Sequence, residues 1–244
     1  AQKAHVKAIW NGTSLDESAG PVFNHKTQVG IVLDKTCFYA SMGGQECDIG
    51  EIEVIGESKS SVRDHHEGGR FKVESVAAFG GYVLHIGMVT HGEIRVGDTV
   101  AANVDKSRRN ATASNHTATH LANFALRAVL GDGVDQKGSL VAADRMRFDF
   151  SHSQPVSPEE LGKVESIVRD QIKHDLTVYA QAAPLTSARG INGLRAVFGE
   201  AYPDPVRVVS IGQPVADLME SAQNPGWREI SIEFCGGTHV QTTS

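Results

Sequence analysis

Apolar and polar positions follow two different rhythms along this chain. Up to about residue 105 the apolar residues fall in short runs with no helical period. Runs at 29–33, 51–55, 71–79 and 82–89 read as strands, and Gly80-Gly81 between the last two reads as a hairpin turn. Residues 92–100 add another turn and strand. Many short strands of this kind predict a small β-barrel. Residues 106–114 are polar and basic, and read as a linker.

Beyond that point the period lengthens. Leu121, Phe124, Ala125, Ala128 and Val129 recur at spacings of three and four, which predicts a helix. Ser114 or Asn115 suits its start, and Gly131 suits the position just past its end. Residues 140–142 and 145–150 form a candidate strand pair. Ser157-Pro158-Glu159-Glu160 has the form of a helix start, with a serine cap, proline in the first turn and glutamate three residues on. The stripe Leu161, Val164, Ile167, Val168, Ile172 reads as a face turned to the core. Residues 207–211 make a further strand. Ile230, Ile232 and Phe234 alternate with polar residues, as in a strand with one buried face. The expected architecture is α+β: a β-barrel subdomain over 1–105, then an α/β domain over 106–244.

Composition changes this picture in only a few places. At 244 residues the chain can bury one large core or two smaller ones. No apolar run is long enough for a transmembrane helix, so no membrane partner is expected. Three cysteines do not make a disulfide framework, which favours a reducing, intracellular setting. The net charge of −6 argues against a general polyanion binder. Residues 101–150 nevertheless carry seven Lys/Arg against five Asp/Glu. Lys106, Arg108, Arg109, Lys137, Arg145 and Arg147 there form either a phosphate track or an ordinary solvated surface, and charge alone favours the surface.

Two short runs carry chemistry. His116 and His120 are four apart on the predicted helix, so both imidazoles can face one ion. Cys235 and His239 are also four apart, across a Gly236-Gly237 turn that permits a tight bend. Three imidazoles and one thiolate suit tetrahedral Zn²⁺. A histidine pair on a helix is often incidental, but the second pair tips the balance toward a metal site. Thr117 stands where a zinc peptidase helix needs a glutamate, so peptidase chemistry is not expected.

The runs 115–126, 135–141, 147–150, 193–198, 202–212 and 235–239 together resemble the editing domain of alanyl-tRNA synthetases, in wording closest to the eukaryotic cytoplasmic enzymes. Phe38-Tyr39-Ala40-Ser41-Met42-Gly43-Gly44-Gln45 resembles the Phe-Tyr-Ala-x-x-Gly-Gly-Gln run of the barrel that precedes that domain. The resemblance implies hydrolysis of tRNA(Ala) mischarged with serine or glycine, in the cytoplasm, with the free-standing AlaX proteins as relatives acting in trans. It implies His116, His120, Cys235 and His239 as Zn²⁺ ligands. It implies Thr119, Gln136 and Ser139 as catalytic pocket residues, and Arg147, Asp149, Gly236 and Gly237 as substrate-binding residues. Read without the family, Thr119 suits a helix surface or a bond back to the preceding turn. Gln136 and Ser139 then suit a turn, and Arg147 and Asp149 suit a mutual ion pair.

Serine exceeds alanine by one hydroxyl, so a second site that hydrogen-bonds that hydroxyl can discriminate where a synthetic pocket cannot. Four protein ligands close a zinc coordination sphere, and no Asp or Glu stands out as a general base. The chain lacks an alanine-activating region, so it reads as a piece of a longer synthetase that edits without charging tRNA, with the rest of that synthetase as its partner; a free-standing protein stays open as the alternative. Ser41-Met42 departs from the acidic residue and glutamine common before Gly-Gly-Gln. No effect on hydrolysis is expected from this, because the zinc motifs lie elsewhere in the sequence. Two other classes stay open: a zinc-stapled RNA-binding module without catalysis, and an interaction fragment whose zinc only stabilises the fold.

Overall fold

The computed structural model describes residues 1–20, 28–55, 68–197 and 200–244. They divide into two compact units. The first comprises 1–42 and 46–109, and the second comprises 43–45 and 110–244.

The first unit is a closed barrel. Its strands are β1 (Gln2–Trp10), β2 (Leu15–Asp16), β3 (Ser18–Ala19), β4 (Val29–Leu33), β5 (Gly50–Val54), β6 (Arg70–Phe79), β7 (Tyr82–His91), β8 (Ile94–Arg95) and β9 (Thr99–Val104). Six of them pair in the order β1-β4-β7-β6-β5-β9, and β9 returns to β1 to close the ring. Closure leaves no free edge among these six, which removes a template for aggregation. The core alternates inward along the strands, with Ile31, Ile52, Phe71 and Val100 fully buried. The expected barrel and the 80–81 hairpin are both present. His85 is fully buried in this core. Its Nδ1–H donates to Ile31 O at 2.9 Å, and Thr36 Oγ1 lies 2.7 Å from its Nε2.

The helix α1 (Lys106–Leu130) is longer than its apolar period predicts. The stretch read as a linker is its first two turns. Asp105 Oδ1 accepts the Arg108 N–H at 3.0 Å and so caps the start, a role the sequence reading gave to Ser114 or Asn115. The predicted end holds: Gly131 takes the left-handed conformation, and its N–H donates to Arg127 O.

In the second unit β10 (Gln136–Val141) pairs with β11 (Met146–Phe150) as expected. A three-stranded antiparallel sheet follows, in the order β12 (Val178–Ala183), β13 (Val206–Ile211), β14 (Ile232–Phe234). The short helices α3 (Leu185–Ala188) and α4 (Val215–Glu220) supply Ala188, Val215 and Leu218 to its core. The helix α2 (Pro158–Lys173) begins with a full capping box. Ser157 Oγ accepts the Glu160 N–H, and Glu160 accepts the Ser157 N–H.

Two expectations fail here. The apolar stripe of α2 is not core: none of its residues is buried, and Leu161 and Ile172 are exposed. Periodicity reports that a helix is amphipathic, not what covers its face. The strand at 230–234 is not half-buried either. Pro225–Glu229 form a 3-10 turn, and all three residues of β14, Glu233 included, are buried. Phe198, part of one motif of the resemblance, lies outside the described residues.

Candidate metal centre

His116 and His120 project from the buried face of α1, and Cys235 and His239 flank the turn after β14. One ligand atom from each of the four lies within 4.8 Å of the others. Cys235 Sγ is 3.3 Å from both His116 Nε2 and His239 Nε2. Zinc bonds of about 2.3 Å to sulfur and about 2.0 Å to nitrogen, at a tetrahedral angle, put those atoms about 3.5 Å apart. The donor set fits a zinc ion in type, number and span.

Burial makes these groups ready ligands. It lowers His116 to about 3, helped by the charges of His120 and Arg207. It lowers His120 to about 3 and His239 further still, so all three imidazoles are neutral at pH 7. Burial pushes the Cys235 thiol up to about 11, against the pull of the Gly237 N–H. A cation is what such a thiol needs to ionise. His120 Nδ1 is buried without a hydrogen-bond partner, an open donor position consistent with a metal ligand.

The turn carrying Cys235 is pinned from several sides. Arg207, on β13, donates through Nη1 to the carbonyls of Cys235 (2.9 Å) and Gly237 (2.7 Å). The Gly237 N–H points at Cys235 Sγ at 3.3 Å. Gly236 has open space where a Cβ would go, whereas a Cβ on Gly237 would overlap the His116 ring and meet Gln45 Oε1 at 2.9 Å.

The other sequence-derived site residues are placed as follows. Thr119 is buried, and its hydroxyl donates back to Asn115 O at 2.8 Å. Gln136 Nε2 donates to Ser139 Oγ at 3.1 Å on β10. Arg147 and Asp149 pair with each other at 3.0 Å on an exposed face of β11. Of the six basic residues considered as a phosphate track, four hold carboxylates: Arg108 with Glu46, Arg109 with Asp48, Arg145 with Asp144, and Arg147 with Asp149.

Residues 206–244, which carry Cys235 and His239, match the family described as threonyl and alanyl tRNA synthetase second additional domain. Residues 2–108 match tRNA synthetases class II (A). The chain is 52% identical to the alanine--tRNA ligase of Candida albicans over 99% of its own length and 23% of that protein. It is 49% identical to the cytoplasmic alanine--tRNA ligase of Dictyostelium discoideum, over 98% of the chain and 24% of the relative. The chain belongs to the alanyl-tRNA synthetase family, in its editing region. It is also 51% identical to the mitochondrial alanine--tRNA ligase of Saccharomyces cerevisiae, over 98% of the chain and 23% of that protein. The chain therefore spans about a quarter of the length of the curated relatives it matches, and these are named for two compartments. No helix among the described residues is long and apolar enough to cross a membrane.

Two residues beside the metal-ligand cluster escaped the sequence reading. Glu233 lies beside α1, its Oε2 3.8 Å from His120 Nε2 and its Oε1 accepting from Asn123 Nδ2 at 2.9 Å. Burial raises its carboxyl to about 7, opposed by Asn123 and the Arg127 charge. Strand alternation turned Glu233 toward solvent, so no local signal marked it. The second is Gln45, buried to 2% exposure, whose Oε1 lies 2.6 Å from His116 Nδ1. Its Gly-Gly-Gln motif was visible, but its place beside the histidines was not. The Gly-Gly-Gln run that follows Ser41-Met42 thus reaches the ligand cluster, far from it in sequence.

Proposed function

We propose that this chain hydrolyses the ester of tRNA(Ala) mischarged with serine or glycine, using a Zn²⁺ held by His116, His120, Cys235 and His239. The observation that carries the reading is the convergence of these four ligand atoms within 4.8 Å on a chain of this family. Bound zinc supplies Lewis acidity toward a carbonyl or water.

The chain's own residues set the rest. The buried imidazoles stay neutral and offer lone pairs across the physiological range. Arg207 and the Gly237 backbone hold the ligand turn in one shape. Gln136 and Ser139 carry an amide and a hydroxyl on one strand, hydrogen-bonded to each other, and in this reading they bind the small polar groups of a seryl ester. A site that hydrogen-bonds the serine hydroxyl rejects an alanyl ester, which leaves those groups unpaired. Discrimination by hydroxyl does not extend to glycine, which has no hydroxyl to read.

A second reading keeps the metal but not the chemistry. Four protein ligands fill a tetrahedral sphere, as in structural zinc sites. The deciding experiment is deacylation of seryl-tRNA(Ala) and alanyl-tRNA(Ala) by zinc-loaded protein and by Cys235→Ala, with circular dichroism on both. Selective serine release, lost in a folded Cys235→Ala, supports an editing hydrolase. Zinc binding with no release of either ester, while tRNA still binds, supports the structural and RNA-binding reading.

A further inference from the structure

Gln45 comes from a part of the chain 71 residues before His116, yet it belongs to the same compact unit. Residues 43–45 run beside β10: the Val141 N–H donates to Gly44 O at 2.8 Å, and Gln45 bridges Val141 in parallel register. The backbone alone accounts for that attachment, which leaves the Gln45 side chain free for other work.

Its hydrogen bonds form a chain of deductions. The Thr238 backbone N–H lies 2.9 Å from one terminal atom of the Gln45 amide. A backbone N–H only donates, so that atom is the oxygen, Oε1. The amide nitrogen then donates to Thr238 Oγ1 at 2.9 Å. The same Oε1 is 2.6 Å from His116 Nδ1, so Nδ1 must carry the proton. A neutral imidazole protonated at Nδ1 has its lone pair on Nε2, and His116 Nε2 faces Cys235 Sγ. One backbone N–H thus fixes an amide orientation, a tautomer and the direction of a metal-ligand lone pair. Gln45 thus accepts the Thr238 backbone N–H and donates to the Thr238 hydroxyl, inside the Cys235–His239 turn, while accepting from His116, so the two ligand motifs and the Gly-Gly-Gln strap lock one another.

We propose that Gln45 is a positioning residue for the metal centre: it holds His116 as the Nδ1–H tautomer with Nε2 aimed at the ion. The proposal rests on the zinc reading above. Histidine ligands of metals commonly donate their second N–H to such a partner, and losing that partner costs about 10–100-fold in metal affinity. Here the partner is a neutral amide that accepts two N–H groups at once, so it also registers the glycine turn against the helix.

The test compares wild type, Gln45→Met and Gln45→Glu. Methionine keeps the length and burial but has no strong acceptor, whereas glutamate keeps an acceptor toward both N–H groups. Zinc affinity is measured by competition with a chromophoric chelator, and the Co²⁺ complex by its visible absorption. Long-range ¹⁵N correlation spectra report the His116 tautomer in metal-free protein. The expected result is an Nδ1–H tautomer in wild type, a shift toward Nε2–H in Gln45→Met, a loss of about 10–100-fold in its zinc affinity, and recovery in Gln45→Glu. Unchanged tautomer and affinity in a folded Gln45→Met would overturn the proposal. A wild-type protein that binds no zinc would sink the zinc reading, while the tautomer spectra would still judge the hydrogen-bond assignment on its own.

Discussion

Gly236 and Gly237 are adjacent and chemically identical, and the structure predicts opposite consequences for changing them to alanine. Around Gly236 a Cβ meets nothing within 4 Å. At Gly237 a Cβ would overlap Cε1 and Nδ1 of the His116 ring and would lie 2.9 Å from Gln45 Oε1. Restoring ordinary contact at 3.4 Å or more requires the ring or the turn to retreat by more than an ångström (~1 Å). Metal–nitrogen bonds tolerate about 0.2 Å. Gly237→Ala therefore removes His116 from the coordination sphere or opens the Cys235–His239 turn. Overpacking costs the metal-free protein about 1–3 kcal/mol. Zinc affinity falls by at least about 100-fold, or about 2.7 kcal/mol. Melting temperatures with and without zinc, together with chelator competition, separate the two effects: Gly236→Ala keeps the zinc-dependent rise in melting temperature, and Gly237→Ala loses most of it. Equal zinc affinities in the two variants would refute the packing argument.

Three other outcomes are expected. The imidazoles are neutral and the Cys235 thiol is raised to about 11, so zinc binding near pH 7.5 releases about one proton, measurable by calorimetry in buffers of different ionisation heat. His85 has its pKa lowered by burial; below about pH 6.5 the unfolded barrel takes up a proton that the folded one refuses, so stability falls as pH falls, with a slope of at most about 1.4 kcal/mol per unit. Denaturation of His85→Gln followed at Trp10 should show a flatter acid limb than wild type. Ser157→Ala removes the cap of α2 and should cost about 1 kcal/mol by urea denaturation, with Ser157→Thr retaining most of it.

What was legible in the sequence was local. The four-residue spacings of His116–His120 and Cys235–His239 and the capping box at Ser157 depend on near neighbours, and all appear where expected. The first turns of α1 were hidden because Lys106–Asn115 offers no apolar period. Of those ten residues the helix buries only Thr112 and Ala113. Gln45 and Glu233 were missed for one reason: each acts on a histidine more than 70 residues away, and the chain carries no local trace of such pairings. The stripe on α2 erred the other way, since its pattern promised a cover that the described residues do not supply.

The 119-residue separation of His116 and Cys235 also sets a clock for the nascent chain. At translation speeds of about 5–20 residues per second, the helix histidines emerge about 6–24 s before the thiol they share a site with. The barrel strands have all been made by Val104, so the first unit can close in that interval while Gly43–Gln45 wait for their partners. A helix pair of imidazoles alone is a weak and unselective trap for divalent ions. Selectivity arrives only with the thiolate and the last histidine. A metal bound by all four ligands can be captured only once synthesis has reached His239.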